Sequence, residues 1–489
     1  MDLAPFSAAG PAETPVPGPA AITPIVLCGG SGTRLWPVSR KDFAKQHAPV
    51  LGGEAPFQDT LRRLAGPAFA RPIVVAGAAS RFMAADQAAQ VGAAVDLVLE
   101  PEGRDTLAAV ALAALVLAGR DPEAIGLVLP SDHMIPDAEA FAEAAARAAA
   151  AAAGGGIVIL GIAPRGPATG FGYIKPGAPL PGGGFQVERF VEKPDAVRAA
   201  ELAAEGCLWN AGMLCFRADA VLEEIERHAP ATLAAVRAGL AEGGLDLGAL
   251  KPGPSFAAAP KVSFDVGVLE KTDRAVVVAA DFAWSDVGDW KEVWALSEKD
   301  GAGVARAGAR AGEVVVRDSR DSYVRSDGRL VCALGVEGLA VIDTPDAVLV
   351  CPLERSQEIK GLVADLAAAG RPEARTPARV YRPWGWYQTM DLGPRFRVKR
   401  IQVTPGAKLS LQKHHHRAEH WVVVQGTAEV TRDGEVLTVR ENESVFLPMG
   451  CVHRLANPGR IPVEIIEVQT GSYLEEDDII RIEDDFGRN

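Results

Sequence analysis

From Ile22 to about Trp294, short apolar runs rich in β-branched residues alternate with longer segments of helical periodicity. Ile22–Leu27, Pro72–Val75, Val95–Leu99, Ile125–Leu129 and Gly156–Leu160 read as buried strands. Phe57–Leu64, Ala78–Val91, Thr106–Ala118 and Ala138–Ala153 read as the helices between them. This alternation predicts βαβ units, a Rossmann-like α/β fold and a mainly parallel sheet, whose ligands bind at the carboxyl ends of the strands. The first run ends at Cys28 and enters a glycine-rich loop; the fourth ends at Leu129 and enters Pro130-Ser131-Asp132-His133. Both turns therefore fall on the same edge.

The pattern changes at about residue 300. Glu313–Val316, Ser322–Val324, Leu330–Leu334, Leu339–Ile342 and Ala347–Val350 are short strands separated by Gly and Asp turns. They predict a small all-β connector, a few coils of a β-helix, though no clear sequence repeat marks it. After Arg371-Pro372 comes a third region of short alternating strands, with turns at Pro405-Gly406, Asp433-Gly434 and Asn457-Pro458-Gly459. That spacing predicts a sandwich or barrel. The expected division is an extension over 1–21, an α/β domain over 22–300, a β connector over 301–378 and a β-barrel over 379–489.

Composition adds exclusions. The chain has 489 residues, too many for one ordinary core, with 63 acidic and 50 basic side chains and a net charge of −13. An acidic balance argues against nonspecific nucleic-acid binding. Much of the excess lies in the acidic end, Glu475 to Asp485, read as a solvated tail. Six dispersed cysteines form no C-x-x-C pair, which suits a reducing, cytoplasmic setting. The greasiest stretch, Leu107–Ala118, is too short to span a bilayer, and no membrane partner is expected. Residues 1–21, mostly Pro, Ala and Gly, read as a disordered extension without signal-peptide character.

The loop Gly29-Gly30-Ser31-Gly32-Thr33-Arg34 carries the first chemistry. Glycines let backbone N–H groups approach phosphate oxygens, and Arg34 adds fixed donors. Gly29, Gly30 and Gly32 are thus candidate phosphate contacts, with Arg40, Lys41 and Lys45 crowding the same loop. The loop is neither a dinucleotide fingerprint, since Leu35 stands where a glycine is needed, nor a Walker A loop, since the chain has no Gly-Lys pair. Asp132 and Asp286 are candidate Mg²⁺ ligands, because Mg²⁺ takes few carboxylates beside phosphate oxygens; as isolated acids they would serve equally as turn caps. Glu192-Lys193-Pro194 and Trp209-Asn210-Ala211-Gly212 flank strands and could hydrogen-bond a sugar, or be ordinary turns.

These segments, with Glu100-Pro101-Glu102-Gly103-Arg104-Asp105-Thr106, Thr169-Gly170-Phe171-Gly172-Tyr173-Ile174 and Trp284–Trp290, resemble the mannose-1-phosphate guanylyltransferases, in that family's order over about 270 residues. The whole chain resembles the long, bifunctional form with a type II mannose-6-phosphate isomerase domain. The resemblance implies transfer of GMP from GTP to mannose 1-phosphate with Mg²⁺. It implies phosphate contacts from Arg34, Arg40 and Lys45, Mg²⁺ ligation by Asp132 and Asp286, nucleotide and sugar contacts from Arg104 and Gly170, and a sugar site of Glu192, Lys193, Asn210 and Asp265. Four positions depart from the family pattern: Ala44, His47, Asp105 and Ala211. Asp105 matters most, since an ionised carboxylate accepts but does not donate, so the preference for guanine is less secure.

The third region resembles the cupin barrels, whose motifs run G-x5-H-x-H-x3-4-E-x6-G and G-x5-P-x-G-x2-H-x3-N. Counting from Gly406 puts Gln412 in the first histidine position, then His414, Glu419 and Gly426. Asn442 replaces the second motif's first glycine, and Pro448, Gly450, His453 and Asn457 follow in place. Gln412, His414, Glu419 and His453 are the expected ligands of Zn²⁺ or another divalent transition metal. The resemblance implies interconversion of fructose 6-phosphate and mannose 6-phosphate, with Arg417 holding phosphate or steadying developing charge. His416, Lys399 and Glu429 are candidates for the base. The alternative keeps the guanylyltransferase and makes the barrel a noncatalytic metal- or sugar-binding module. Homo-oligomerisation is left open.

Overall fold

The computed structural model describes residues 22–30, 32–309 and 311–484. The extension 1–21, Ser31 of the glycine loop and the last acidic residues, Asp485 among them, lie outside the described residues. The chain divides into two compact units, one of residues up to 344 with 348–365, the other essentially 366 onward.

The first unit is built on one eleven-stranded sheet. Its strands are β1 (Thr23–Cys28), β2 (Ile73–Gly77), β3 (Asp96–Glu100), β4 (Ile125–Pro130), β5 (Ile157–Ile162), β6 (Tyr173–Pro179), β7 (Phe185–Val191), β8 (Leu208–Arg217), β9 (Gly244–Asp246), β10 (Ala249–Lys251) and β11 (Ala275–Ala280). Their order is β5-β11-β7-β6-β8-β4-β1-β2-β3-β10-β9. The half around β1 is parallel, as β4-β1-β2-β3. Beyond β4 the sheet is mixed: β8 runs against both β4 and β5 and the β6–β7 hairpin pairs with β8, while β5 and β11 pair in parallel. The parallel half is what brings the turns after β1 and β4 to one edge.

The first four helices are α1 (Pro56–Arg63), α2 (Arg81–Gln90), α3 (Asp105–Ala118) and α4 (Ala138–Ala152). Helix α3 is buried almost all round, from Leu107 through Ala114 and again at Val116 and Leu117, as its lack of a polar stripe requires. Alanines permit that close packing. A Cβ on Gly126 would lie 2.9 Å from Phe216 and 3.1 Å from Leu117, so the adjoining strand also needs a small residue there.

The same unit continues into a coil of short strands: β12 (Ala305–Ala307), β13 (Val314–Arg317), β14 (Tyr323–Ser326), β15 (Val331–Leu334), β16 (Leu339–Asp343) and β17 (Val348–Pro352). β12-β14-β16 form one parallel ladder and β13-β15 another, with successive coils stepping by 17 or 18 residues. This is a β-helix, and its inward apolar side includes Val314, Val324 and Ala333. One polar residue ties it to the first domain. Arg325, 4 % exposed, donates to the carbonyls of Pro49 and Val50 at 2.9 and 3.1 Å and pairs with Asp327.

The second unit is a barrel of two facing sheets. β18 (Arg379–Arg382), β19 (Gly385–Gly393), β20 (Phe396–Val403), β22 (Arg417–Gln425), β25 (Ser444–Leu447) and β27 (Val463–Gly471) form one sheet. β21 (Leu411–His414), β23 (Thr427–Arg432), β24 (Glu435–Arg440), β26 (His453–Ala456) and β28 (Ile479–Glu483) form the other. Along β22 the residues Arg417, Glu419, Trp421 and Val423 are buried and their neighbours are more open, the period-two pattern of a strand with one inward face. At one end the interior is apolar, with Val403, Val423, Leu455 and Ile465. At the other it is polar, and there the candidate ligands sit.

Candidate active sites

In the first unit the loop after β1 turns with Gly30 at φ 89° and Gly32 at φ 58°, backbone conformations that side chains with a Cβ rarely adopt. Gly32 is also pressed against Lys45, whose Cβ would lie 2.6 Å from a Cβ at Gly32. That contact places the Lys45 ammonium. Its Nζ lies 2.9 Å from Asp132 Oδ2 and donates to the carbonyl of Asp286 at 2.6 Å. The two acid-bearing turns are zipped together by paired backbone hydrogen bonds between Met134 and Ser285, and by Trp284 Nε1 donating to His133 Nδ1 at 3.1 Å. Burial pushes the His133 imidazole down to about 4, so the ring is neutral and Nδ1 accepts. Lys45, Asp132 and Asp286 therefore meet at the carboxyl edge, although far apart in sequence.

Beside them a cavity of about 480 Å³ is lined by Gly29, Gly30, Glu100, Asp105, Asp132 and Asp265, among others. Asn210 Nδ2 donates to Asp265 Oδ1 at 2.8 Å, and Asn210 Oδ1 accepts from Gly212 N at 2.9 Å. Burial, then the nearby Glu192 charge, raises the Asp265 carboxyl above its usual range. Glu192 and Lys193 are ion-paired, and Lys193 is held at φ 46°. Arg104 pairs with Glu102 at 3.0 Å, next to the cavity residues Gly103 and Asp105. Asp105 sits at φ 64° with its carboxylate accepting from the Thr106 N–H, a conformation that Asn and Asp tolerate best. Arg34 is exposed on the loop, Gly170 is exposed ahead of β6, and Arg40 is buried with its guanidinium 5.1 Å over Trp36. Of the expected site residues, Gly29, Gly30, Asp132 and Asp265 line the cavity itself, while Lys45, Asn210 and Asp286 reach it through their contacts with Asp132, Asp265 and Lys45.

Sequence reasoning passed over Glu100 as a single residue, though it opens a quoted motif. Its Oε1 is buried without a hydrogen-bond partner. Burial pushes its carboxyl up to about 7. Glu292, six residues beyond Asp286, was missed as well. It accepts from the Gly288 N–H at 2.6 Å, and burial, then Asp286, raises its carboxyl.

In the barrel, β21, β22 and β26 bring His414, Glu419 and His453 together, each at most 2 % exposed, with ligand atoms all within 4.8 Å of one another. His453 Nδ1 lies 3.0 Å from the Cys451 carbonyl and donates to it, which leaves the Nε2 lone pair facing Glu419 Oε2 at 3.5 Å. His414 Nε2 is 3.2 Å from Glu419 Oε1, yet is not aligned as a hydrogen bond. Buried imidazole nitrogens without donors or acceptors, facing a carboxylate, are what a divalent cation satisfies. Burial pushes Glu419 up, but His414, His453 and Arg417 overcome it and hold the carboxyl well below the usual range. The residues present therefore fit a metal. Gln412 pairs in register with His453 and, with Glu419 and Arg417, lines a small cavity beside the cluster, its Oε1 accepting from Ser410 Oγ at 2.9 Å.

Around the cluster stand Arg417, with Nε 3.5 Å from Glu419 Oε1, and Glu467, which accepts from Trp421 Nε1 and Gln469 Nε2 at 3.0 Å each. Burial, then Glu419, pushes Glu467 well above the usual carboxylate range. Of the three base candidates only Lys399 lines the cavity. His416 is exposed and bound to Asp478 at 2.8 Å, and Glu429 is exposed on β23. Glu467 was missed because nothing in its local sequence, Ile466-Glu467-Val468, separates it from a surface strand residue.

Comparison with known proteins covers nearly the whole described chain. Residues 23–303 match the nucleotidyl transferase family, 312–366 the MannoseP isomerase/GMP-like beta-helix domain, and 369–484 the mannose-6-phosphate isomerase C-terminal family. The chain is 49 % identical over 470 residues to the xanthan biosynthesis protein XanB of Xanthomonas campestris pv. campestris (strain B100), covering 96 % of this chain and 99 % of that one. It is 46 % identical over 474 residues to the alginate biosynthesis protein AlgA of Pseudomonas aeruginosa (strain PAO1), covering 95 % and 97 %. It is 43 % identical over 474 residues to the mannose-1-phosphate guanylyltransferase of Escherichia coli (strain K12), covering 95 % and 98 %. A solved structure described as a mannose-1-phosphate geranyltransferase from Thermus thermophilus superposes with a TM-score of 0.64 at 35 % identity, covering 71 % of this chain and 99 % of that one.

Proposed function

The chain belongs to the nucleotidyl transferase family whose long members carry a C-terminal mannose-6-phosphate isomerase domain, and we propose that its two sites divide the labour as follows. The first makes GDP-mannose and pyrophosphate from GTP and mannose 1-phosphate. The second interconverts fructose 6-phosphate and mannose 6-phosphate. The two reactions are not consecutive, since phosphate must first move from O6 to O1 of mannose. The observation that carries the reading is the pairing, in one chain, of the Lys45–Asp132–Asp286 cluster with the buried His414–Glu419–His453 cluster.

In the first site the attacking sugar phosphate is already an anion, so the chemistry needs positioning and charge neutralisation rather than a base. The N–H groups of Gly29, Gly30 and Gly32 and the cations Arg34 and Lys45 receive the phosphates, with the buried Arg40 against Trp36 close by in the chain. Mg²⁺ held by Asp132 and Asp286 would supply the remaining positive charge. Asn210 and Asp265, already joined by a hydrogen bond, present an amide and a carboxylate to sugar hydroxyls, and Glu192 and Lys193 close the other side. Arg104 and Gly170 complete the nucleotide and sugar contacts.

In the second site the ligand set is His414, Glu419, His453 and Gln412, and Zn²⁺ or a neighbouring divalent ion there would polarise the sugar oxygens. Arg417, buried and beside Glu419, steadies the negative charge that develops while a proton moves between C1 and C2. The protein works as a biosynthetic enzyme of the cytoplasm in this reading. Among the described residues no helix is long and apolar enough to cross a membrane.

The test is a pair of assays on purified protein, one following GDP-mannose from mannose 1-phosphate, GTP and Mg²⁺, the other following isomerisation of fructose 6-phosphate. Asp132→Ala abolishes only the first and Glu419→Ala only the second. Loss of both activities in either variant, or absence of isomerisation with Zn²⁺ and Co²⁺ supplied, overturns the two-site assignment.

A further inference from the structure

The barrel cavity measures about 60 Å³, room for a water or two, whereas pockets for small-molecule ligands start at roughly 300 Å³. A hexose phosphate enters only if a wall moves. One wall comes from the segment Leu474–Asp478. Its ends are anchored, since Leu474 and Asp478 are both 7 % exposed, while Glu475, Glu476 and Asp477 between them are exposed. Three cations of the barrel hold it. Arg397 donates to the Leu474 carbonyl at 2.8 Å, Arg417 to the Glu475 carbonyl at 3.0 Å, and Lys399 Nζ to Glu476 Oε1 at 3.1 Å.

Lys399 and Glu476 are unequal partners. Lys399 is rooted on β20, 5 % exposed, with its ammonium 4.7 Å from the Tyr387 ring. The Glu476 side chain is 45 % exposed and reaches in from outside. A carboxylate that arrives from solvent to cap a buried ammonium offers the anionic oxygens that a phosphate monoester offers, with less charge. Exchange of one for the other keeps Lys399 neutralised. It also frees the Arg417 donor now spent on the Glu475 carbonyl, and the buried Arg417 Nε already lacks a hydrogen-bond partner.

We propose that Lys399 is the phosphate-binding group of the barrel site, and that Glu476 holds its place until a sugar phosphate displaces the Leu474–Asp478 strap. The proposal rests on the isomerase reading and adds to it a gate opened by the substrate's own phosphate. Lys399 then serves binding, not proton transfer.

The experiment compares wild type, Glu476→Gln and Lys399→Met as full chains. Glu476→Gln lowers both KM for fructose 6-phosphate and the inhibition constant of inorganic phosphate against isomerisation, by roughly two- to fivefold, as expected for removal of a half-exposed competing pair. Lys399→Met raises both by roughly tenfold or more. Hydrogen exchange over residues 474–478 speeds up when fructose 6-phosphate is added to wild type, and not in Lys399→Met. Unchanged or raised constants in Glu476→Gln, together with unchanged exchange, overturn the strap. A wild type that does not isomerise, yet shows the ligand-dependent exchange, retains the strap and removes the isomerase reading instead.

Discussion

Lys45→Met is the sharpest test of the first site, because two effects oppose each other there. In the free protein Lys45 is 2.9 Å from Asp132, with the two side chains 15 % and 17 % exposed. Its loss leaves Asp132 unpaired and costs the free state about 1 kcal/mol, since the site is open enough for water to screen it. In the transition state the variant loses a cation that meets the phosphates in a closed and drier site, where such truncations cost roughly 2–5 kcal/mol. The net barrier increase is about 1–4 kcal/mol, a fall in kcat/KM for GDP-mannose formation of roughly 5- to 900-fold. A second signature separates this from general damage. Asp132 is relieved of a competing cation, so half-saturation by Mg²⁺ shifts to lower concentration. Pyrophosphate release at fixed mannose 1-phosphate and GTP, titrated with Mg²⁺, reads both quantities, and isomerisation of fructose 6-phosphate serves as the control. Transfer within about threefold of wild type at saturating Mg²⁺, or a parallel loss of isomerisation, would refute the reasoning.

Glu419→Gln keeps the shape of the barrel but removes the charge between His414 and His453, and bound transition metal falls by roughly 100-fold in affinity, read by metal analysis after dialysis. Glu100→Gln stabilises the first unit in a pH-dependent way. The Glu100 carboxyl is raised from 4.5 to about 7 by burial, so the folded state binds the extra proton between those values and the wild type loses stability as pH rises through that window. The gain from Gln is absent at pH 4, grows to neutrality and levels off above pH 7 at ~2–3 kcal/mol, measurable by urea unfolding at several pH values; a gain independent of pH contradicts it. Arg325→Leu leaves the Pro49 and Val50 carbonyls without their Arg325 donor and takes the guanidinium from Asp327 Oδ2. It destabilises the first unit by ~3 kcal/mol in chemical denaturation, and lowers transfer activity because the Lys45 loop is the one released.

Much of this was legible in the chain. The five early strands and four helices fall within a few residues of their expected places, because buried parallel strands are short unbroken apolar runs and the longer alanine-rich segments between them suit helices. The long antiparallel β8 and the β6–β7 hairpin were not foreseen, since Trp209-Asn210-Ala211-Gly212 read as a turn and proved to lie within a ten-residue strand. The barrel ligands could be counted from spacing, as strand period and motif length fix which side chains share a face. What spacing could not convey is depth. Glu467, Glu100 and Glu476 are glutamates in ordinary company, and only the fold separates one buried beside a carboxylate, one with a carboxylate oxygen buried without a hydrogen bond and one reaching in from solvent.

The Arg325 strut has a practical consequence for how the chain can be divided. A cut near residue 303, where the transferase pattern ends, would strip two loop carbonyls of their donor and set loose the segment that carries Lys45. A cut after Asp365 leaves that fastening whole. The coil is therefore a buttress of the transferase rather than a tether. In recombination the two should be inherited as one cassette, with the barrel as the separable piece.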